Sequence, residues 1–550
     1  MKLPSVMNHS FSQIPVNRQE RSSFDRSYGH KTTFDAGYLV PVCLQEILPG
    51  DTVNMQATFF GRIATLLYPI MDNVFVDTFW FFTPNRLVWD NWQRFNGERL
   101  NPDTSIDLEI PYISYGTANY QIAPFTLHDY FGLPVGKNIA HAVTRISALP
   151  ARMYSLIYNE WFRDQNLQNS IVIPTGDGPD VYGGTFNNAI LYRRGKRHDY
   201  ITSCLPRPQK GDAVSIPLGT TAPVIGDGIS MGLTDGTDAY MAASDDGGVN
   251  GFLKAYTNPG AVGGTPTGAY GAGDNYMGLN TDPTQSHVFA DLSLATAATV
   301  NELREAFAIQ QLLEMDARGG TRYVEQLRSM WGVDIQDYRL QRPEYLGGSS
   351  QQLGVTQVPQ TSQTDTQTPQ ANLAAYGQIV TSSGFNKSFV EHGYLMGIVN
   401  VRADIAYQEA IDKHWIRSTR YDFYQPPLAH LGEQPVYEYE VFYDPADAAA
   451  PTVFGYQERW AEYRYSRSMV TAAFRSDFAQ TLDAWHLALD FGGTPPALDS
   501  SFIVDDPPID RIRAIQPAEP DNQQIIMDMY FKFRHARLMP VYSVPGLQRL

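Results

Sequence analysis

The sequence has little charge and almost no cysteine. Only 18% of its 550 residues are charged, and Cys43 and Cys204 are its two cysteines. Soluble proteins typically carry charge on about a quarter of their residues, so the low value favours a surface that is partly covered by copies of the same chain. Two cysteines exclude a disulfide framework and a zinc site of the CxxC type. We expect a reducing compartment, such as cytoplasm.

Long apolar runs are also missing. The N-terminal stretch MKLPSVMNHSFSQI lacks the continuous apolar segment of a signal peptide. The most apolar stretch, Val74 to Phe82 (VFVDTFWFF), is too short and too polar in its middle to cross a bilayer. We therefore expect a soluble chain with neither a secretory leader nor a membrane span.

Motifs of catalysis are absent as well. The 11 histidines form no HExxH pair, no Cys/His cluster exists, and neither a Walker A motif nor a dinucleotide-binding glycine motif occurs. One GxSxG match, Gly228 to Gly232, lies in a glycine-rich segment without the strand and helix that would aim Ser230. A chance match is favoured, and we expect no catalytic residue, metal or cofactor.

Two other classes of protein stay open at this point. Paired carboxylates for glycoside hydrolysis meet only in the fold, so an enzyme such as a β-sandwich polysaccharide hydrolase is one alternative. A carbohydrate-binding or adhesion module is the other. The cluster Asp235, Asp238, Asp245 and Asp246 lacks the spacing of a calcium-binding EF-hand, so a solvated acidic loop is favoured there.

Aromatic residues, proline and glycine are abundant. Aromatics make up 12% of the chain, beside 36 prolines and 44 glycines, and this favours strands joined by many turns. The predicted strands include one buried on both faces and ended by Pro84; together they cover 37–47, 52–68, 74–82, 388–407, 436–443 and 525–537. We predict a mainly β fold, a β-sandwich or jelly roll with elaborated loops.

Helices are expected only in the connections. The patterns predict helices at 86–97 and 151–166, and a clearer one that begins at Thr299, where Glu302 completes a capping box. Its apolar side chains Leu303, Ala306, Phe307 and Leu313 lie within about a third of the helix circumference. Residues 322–331 continue the helical region, and 349–371, rich in Gln, Thr and Ser, are predicted to form a long loop.

Two segments differ from the rest in composition. Residues 1–34 are polar and more basic than acidic, and are predicted to form an arm, with a disordered tail as the alternative. Residues 211–290 hold 16 glycines, eight aspartates, no glutamate and one lysine. This stretch is predicted to be a surface insertion in a domain formed by residues 35–210 and 291–550.

Basic residues are concentrated in few places, although the net charge is −17. Such a charge argues against a stand-alone nucleic-acid binder. Two local clusters remain able to meet phosphate: RRGKRH at 193–198, and the C-terminal strand with Lys532, Arg534, His535 and Arg537. A surface or subunit-interface patch is the alternative for both.

Several stretches resemble the major capsid proteins of the gokushovirus group of microviruses, which are small icosahedral phages with circular single-stranded DNA. The similar stretches run in the order of that family from one end to the other: NHSFSQIP (8–15), RSSFDRSYGHKTTFDAGYLVP (21–41), YPIMDNVFVDTFWFFTPNRLVWDNW (68–92), YRRGKRHDYITSCLPRPQKG (192–211), RPEYLGGSS (342–350), YDFYQPPLAHLGEQ (421–434), FGYQERWAEYRY (454–465) and MPVYSVPGL (539–547).

The resemblance implies an eight-stranded antiparallel jelly roll with large insertions. It further implies a homo-oligomer that assembles through pentamers into a shell of 60 copies, found in the virion and built in the bacterial host cytoplasm. The partners would be the circular single-stranded DNA genome, a small basic DNA-binding viral protein and a host cell-surface receptor. The insertion would form the protrusion at the threefold axes that meets the receptor.

Charge then suggests which residues face which partner. An acidic insertion repels DNA and should point outward, whereas the basic termini should point inward. The DNA-facing candidates are therefore Arg18, Arg21, Arg26, Lys532, Arg534 and Arg537. The host-contact candidates in the insertion are Asp235, Asp238, Asp245, Asp246, Tyr270 and Tyr276.

Overall fold

A computed structural model gives the fold. It describes residues 20–99, 101–115, 121–137, 145–184, 186–215, 224–226, 288–290, 299–361, 364, 370–445, 451–514 and 523–542. The chain divides into two compact units, of which one comprises Met1–Lys210 with Glu314–Leu550 and the other Gly211–Leu313. No helix in the described ranges is long and apolar enough to cross a membrane.

Strands and short connecting helices alternate along the chain. The strands are β1 (Ser22–Asp25), β2 (Tyr28–Phe34), β3 (Val40–Ile47), β4 (Thr52–Leu66), β5 (Val74–Pro84), β6 (Ile113–Ser114), β7 (Asp180–Val181), β8 (Val224–Gly226), β9 (Val288–Ala290), β10 (Glu344–Gln352), β11 (Gly354–Pro359), β12 (Leu373–Ser388), β13 (Gly393–Ala403), β14 (Glu433–Tyr437), β15 (Val453–Glu458) and β16 (Ile525–Arg537). The α-helices are α1 (Trp92–Phe95), α2 (Leu127–Tyr130), α3 (Leu149–Ile157), α4 (Val300–Arg318), α5 (Tyr323–Trp331), α6 (Ser500–Ile503) and α7 (Ile509–Ile512).

A six-stranded antiparallel sheet joins the two ends of the described chain. Its strand order is β1-β16-β4-β12-β11, and β2 pairs with β16 on the same side as β1. Ile525 lies opposite Phe34 of β2, and Arg537 lies opposite Ser22 of β1. Buried and exposed side chains alternate along β16, which confirms the strand predicted at 525–537.

A second, four-stranded antiparallel sheet has the order β10-β5-β13-β3. The connection from β5 to β10 spans residues 85–343, and that from β13 to β16 spans residues 404–524. Nearly all irregular structure therefore lies in these two connections. The mainly β prediction is confirmed, with antiparallel sheets and few helices.

The main core lies between the two sheets, and Trp80 is its central residue. The Trp80 ring, fully buried on β5, lies 6.5 Å from Phe59, 6.1 Å from Phe385 and 6.1 Å from Phe531 between ring centroids. These three rings come from β4, β12 and β16 of the other sheet. The Trp80 indole N–H also donates to the Ser383 hydroxyl of β12 at 3.0 Å. One side chain thus joins both sheets by apolar burial and by a buried hydrogen bond.

The four-stranded sheet is covered on its other face too. Phe81 of β5 and Ile398 of β13 pack in a second apolar cluster with Trp89, Leu149 and other side chains of the β5–β10 connection. Because both faces are covered, almost every residue of β5 is buried. This confirms the prediction for the strand at Val74 to Phe82.

A buried ion pair lies beside this second cluster. Arg152 of α3 donates from Nε and Nη2 to the two carboxylate oxygens of Asp180 at 2.8 and 2.7 Å, and its side chain is 0% exposed. Its Nη1 donates to the carbonyl oxygens of Val88 at 3.0 Å and Gly176 at 2.9 Å. Every guanidinium nitrogen of Arg152 therefore has an acceptor.

The helix predicted at 86–97 is only partly formed. The chain makes one 3-10 turn at Asn85–Leu87, and only Trp92–Phe95 is α-helical. The Trp89 indole N–H donates to Asp177 at 2.7 Å, and the Asp90 amide donates to the Thr175 carbonyl at 3.0 Å. The Asp90 amide thus bonds to a distant loop, although the Trp89 and Phe95 amides still form helical bonds with the carbonyls four residues earlier. The helix predicted at 151–166 is found as α3 followed by a π-helical turn, Tyr158–Phe162.

The loop predicted at 349–371 is wrong in part. β10 and β11 occupy residues 349–352 and 354–359 of it, and β10 pairs with β5 while β11 pairs with β12. Both are edge strands, and their Gln, Ser and Thr side chains are mainly exposed, so the polar composition fits a strand with one uncovered side. The strand predicted at 436–443 ends at Tyr437, because the buried Glu440 accepts the Tyr437 amide at 3.0 Å and holds a 3-10 turn.

The N-terminal segment is structured from residue 22 onward. β1 and β2 lie within the stretch predicted as an arm, so the alternative of a disordered tail is wrong for these residues. Residues 1–19 lie outside the described ranges. The prediction that residues 1–34 form an internal arm stays a prediction.

The helix predicted at Thr299 is confirmed with its cap. The Glu302 amide donates to the Thr299 hydroxyl at 3.2 Å, and the Thr299 amide donates to the Glu302 carboxylate at 2.7 Å. No residue of α4 is buried, and Phe307 is 63% exposed. α5 follows after Gly319 and Gly320, as predicted for 322–331.

Candidate functional site

One face of the six-stranded sheet is polar and open. We call the exposed residues of β4 and β16 the polar sheet face: Asn54, Gln56, Thr58, Phe60, Arg62, Ile526, Asp528, Tyr530, Lys532 and Arg534. Lys532 lies opposite Gln56, and Arg534 lies opposite Asn54. Their side chains share this face because alternate residues of a strand point the same way.

Two aromatic rings stand among these cations. Tyr530 is 54% exposed and Phe60 is 37% exposed, and the Arg62 guanidinium lies 5.0 Å from the Phe60 ring centroid. Asp528 is neutralised by Lys31 of β2, 2.9 Å away. Cations beside exposed rings are the side chains that hold phosphates and stack on bases. The alternation in 52–68 was the signal for Phe60 and Arg62, which our sequence analysis missed.

Arg537 has a different role from Lys532 and Arg534. Its guanidinium donates to the Asp51 carboxylate at 3.0 Å and to the Glu46 carbonyl at 2.8 Å. Asp51 is 1% exposed, and it also accepts the Leu48 amide at 2.8 Å and the His535 ring at 2.7 Å. Burial lowers the pKa of His535, so this imidazole is neutral and Arg537 supplies the charge that balances Asp51.

The N-terminal candidates surround the same turn. The Arg21 guanidinium donates to the Gly50 carbonyl at 2.7 Å and to the Thr52 hydroxyl, and Arg26 donates to Gln45 at 2.8 Å. The structure thus brings Arg21, Arg26 and Arg537 together at the β3–β4 turn, at the end of β16. Arg18 lies outside the described residues.

The RRGKRH segment is mostly built into the fold. Arg193 pairs with Asp506 at 2.5 Å, Arg194 with Asp77 at 2.5 Å and Arg197 with Asp404 at 2.7 Å. Lys196 is buried and donates to the Phe502 carbonyl at 2.6 Å. These bonds attach the β5–β10 connection to β5 and to residues 502–506. Of the five basic side chains, only His198 is exposed.

The host-contact candidates cannot be placed. Asp235, Asp238, Asp245, Asp246, Tyr270 and Tyr276 all lie outside the described residues, as does the Gly228 to Gly232 match. In the ranges that the structure does describe, no group of three or more His, Cys, Asp or Glu side chains is arranged to hold a metal ion. Cys43 and Cys204 are both buried and free.

Comparison with known proteins decides between the remaining classes. The family of phage capsid proteins described as F protein matches residues 12–547. The capsid protein VP1 of Bdellovibrio phage phiMH2K is 43% identical over 556 residues, which cover 99% of this chain and 99% of that protein. This chain belongs to the capsid protein family. Capsid protein VP1 of Chlamydia phage 1 is 42% identical over 604 residues, and that of Spiroplasma virus 4 is 34% identical over 558 residues.

Membership confirms the resemblance to microvirus capsid proteins. The chain is a structural component of the virion and not an enzyme. This removes the polysaccharide hydrolase alternative. The capsid protein also exposes large aromatic side chains in the β13–β16 connection, among them Trp415 at 76% and Tyr421 at 71%. Exposed aromatics of this size mark protein interfaces.

Proposed function

We propose that the chain is the subunit of an icosahedral shell that encloses circular single-stranded DNA, and that its fold is an eight-stranded jelly roll. The strand pairing supports the fold. β2, β4, β12 and β16 belong to one sheet in the order β2-β16-β4-β12, and β3, β5, β10 and β13 form the other in the order β3-β13-β5-β10. Two such interleaved four-stranded sheets make a double Greek key, the plan of capsid jelly rolls.

Self-assembly through pentamers into 60 copies rests on the family and on the exposed surface. The single chain leaves Trp415, Tyr421 and Phe307 more than half exposed, and only 18% of its residues are charged. Removing such apolar surface from water is favourable. Contacts with neighbouring copies cover it in a shell.

The polar sheet face is the surface that supports DNA contact. Lys532, Arg534 and Arg62 lie on it with two exposed rings, and no residue of the sheet covers them. A chain of net charge −17 cannot neutralise a genome by itself. A small basic DNA-binding viral protein therefore completes the neutralisation inside the shell.

Replacing Lys532 and Arg534 with alanine is expected to reduce DNA retention by assembled particles. Each lost phosphate contact lowers the salt dependence of single-strand binding by about 0.7 in log–log slope, so the double variant should lose about 1.4. Retention is measured as the ratio of DNA to protein in particles washed at increasing salt. The control is Arg464→Ala, whose side chain is 48% exposed and pairs with Glu458 elsewhere. Equal retention in both variants contradicts a DNA-facing sheet.

Deleting residues 220–285 is expected to leave shell assembly intact and to abolish attachment to the host. The deleted stretch holds most of the aspartates of the acidic insertion, and the two sheets contain none of its residues. Electron microscopy of the purified full-length and deleted chains checks assembly, and a cell-binding assay checks attachment. A full-length chain that stays monomeric at every ionic strength contradicts the shell, and unchanged cell binding contradicts the receptor role.

A further inference from the structure

A basic cavity of about 880 Å³ lies on the side of the four-stranded sheet that faces away from the main core. Seven arginine and lysine side chains line it, against two carboxylates, those of Asp164 and Glu325. Five Phe, Tyr and Trp rings also line it, including Phe79 of β5 and Tyr345 of β10. We call this cavity the basic pocket. Its charge is opposite to that of the chain as a whole.

The cations of the basic pocket are incompletely neutralised. Arg194 and Arg402 share the single carboxylate of Asp77, at 2.5 and 2.9 Å. Arg163 donates to the Gln168 carbonyl at 2.7 Å, and Lys196 donates to the Phe502 carbonyl. Neither forms an ion pair with a carboxylate of the described residues. Lys196 is buried and Arg163 is partly buried, and cations that lack a paired carboxylate favour an anion.

Hydrogen-bonding capacity is also left over. The Nε–H groups of Arg163, Arg322 and Arg402 are buried without an acceptor among the described residues. Burial and the neighbouring Arg322 lower the pKa of Arg163, while burial and Arg402 lower the pKa of Arg194 to about 10. Both shifts come partly from like charges held close together. An anion with several oxygens satisfies the donors and relieves this repulsion.

The aromatic wall adds a second kind of recognition. Tyr345 is 42% exposed, and its ring centroid lies 5.6 Å from that of Trp161. An exposed ring beside guanidinium groups offers a stacking surface for a flat heterocycle. Ligand pockets commonly have volumes of about 300–1,000 Å³, and the basic pocket lies within this range.

We propose that the basic pocket binds a soluble nucleotide, with its base against Tyr345 and its phosphates on the pocket arginines Arg163, Arg322, Arg328 and Arg402. This site goes beyond the proposed shell function and is independent of the DNA surface proposed above. The polar sheet face belongs to the six-stranded sheet, whereas the basic pocket lies against the outward side of the four-stranded sheet, beyond the main core.

Isothermal titration of the purified full-length chain with four probes tests the proposal. The probes are dATP, dAMP, tripolyphosphate and an eight-nucleotide single-stranded DNA. We expect dATP to bind more tightly than dAMP, because it brings more negative charge. We also expect dATP to bind more tightly than tripolyphosphate, because only dATP has a base to stack. No binding of any probe at about 1 mM, where binding free energy is only about 4 kcal/mol, overturns the proposal.

Four variants locate the binding. Arg163→Gln and Arg328→Gln are each expected to weaken dATP binding about tenfold, or about 1.4 kcal/mol; the Arg328 side chain is 76% exposed, so its loss does not threaten folding. Tyr345→Leu should weaken dATP but leave tripolyphosphate unchanged, an outcome that a general loss of structure does not produce. Arg145→Gln is the matched control and should bind as the parent does, because the Arg145 side chain is 52% exposed and does not line the pocket.

Two further results overturn the proposal. Unchanged dATP affinity in both arginine variants places the binding elsewhere. An oligonucleotide that binds a hundredfold more tightly than dATP, and loses this affinity in the Arg163→Gln and Arg328→Gln variants, identifies the ligand as a DNA strand and not as a soluble nucleotide. If the Lys532 and Arg534 variants retain as much DNA as the parent, the nucleotide proposal is not affected, because the two sets of variants share no residue.

Discussion

Replacing Arg152 with alanine is expected to lower the free energy of unfolding by about 3–5 kcal/mol, because it leaves a buried charge without a partner. Asp180 is 6% exposed, and two of its carboxylate hydrogen bonds come from Arg152. The carbonyl oxygens of Val88 and Gly176 lose a donor in the same step. Urea denaturation followed by circular dichroism measures the loss.

A matched pair on the surface serves as the control. Lys31 and Asp528 lie 2.9 Å apart, but their side chains are 77% and 52% exposed. Lys31→Ala should therefore cost less than about 1 kcal/mol. The double variant Arg152→Met with Asp180→Leu should regain much of the lost stability, since neither buried charge remains. Equal urea denaturation midpoints for Arg152→Ala and Lys31→Ala would contradict the prediction.

Trp80→Ala is expected to cost about 3–5 kcal/mol as well, because it opens a cavity between the two sheets. The change removes the contacts with Phe59, Phe385 and Phe531 and leaves the Ser383 hydroxyl without its indole donor. Denaturation by urea, with circular dichroism as the signal, measures the change. Particle yield should fall in parallel, since fewer chains are folded at equilibrium.

Trp415→Ala is the control for Trp80→Ala. The Trp415 side chain is 76% exposed in the single chain, so its loss should change the stability of the unassembled subunit by less than about 0.5 kcal/mol. Trp80→Phe should fall between the two, because it keeps a ring but loses the N–H donor. A Trp80→Ala chain as stable as Trp415→Ala shows that the sheets do not depend on this residue.

Periodic sequence patterns predicted the strands with clear faces. β16 alternates between buried and exposed residues, and β5 is mainly apolar and ends at Pro84, so each strand can be recognised from its own sequence. β12 was missed because glycine, serine and glutamine interrupt its apolar residues, and it is a strand by virtue of its pairing with β4. The helix predicted at 86–97 is interrupted for a similar reason, since the Asp90 amide bonds to the carbonyl of Thr175.

The sequence identified the basic residues of the candidate site, but it did not show which of them are exposed and which form ion pairs within the fold. Lys532 and Arg534 follow from the alternation of β16, and they are exposed as a DNA-facing role requires. Arg537 belongs to the same basic cluster in sequence, yet its partner Asp51 is 486 residues away. No local pattern reports a contact of that length. The basic pocket is hidden in the same way, because its cations come from four separate parts of the chain.

The place of β16 in the six-stranded sheet also has a consequence during translation. β16 contains residues 525–537 and lies between β2 and β4, which end by residue 66. At about 5–20 residues per second, the ribosome takes on the order of tens of seconds to pass from one to the other. Through this interval β2 and β4 each present an unpaired edge. A polypeptide that stops short of residue 525 keeps both edges open, so the six-stranded sheet is completed only in copies that contain β16.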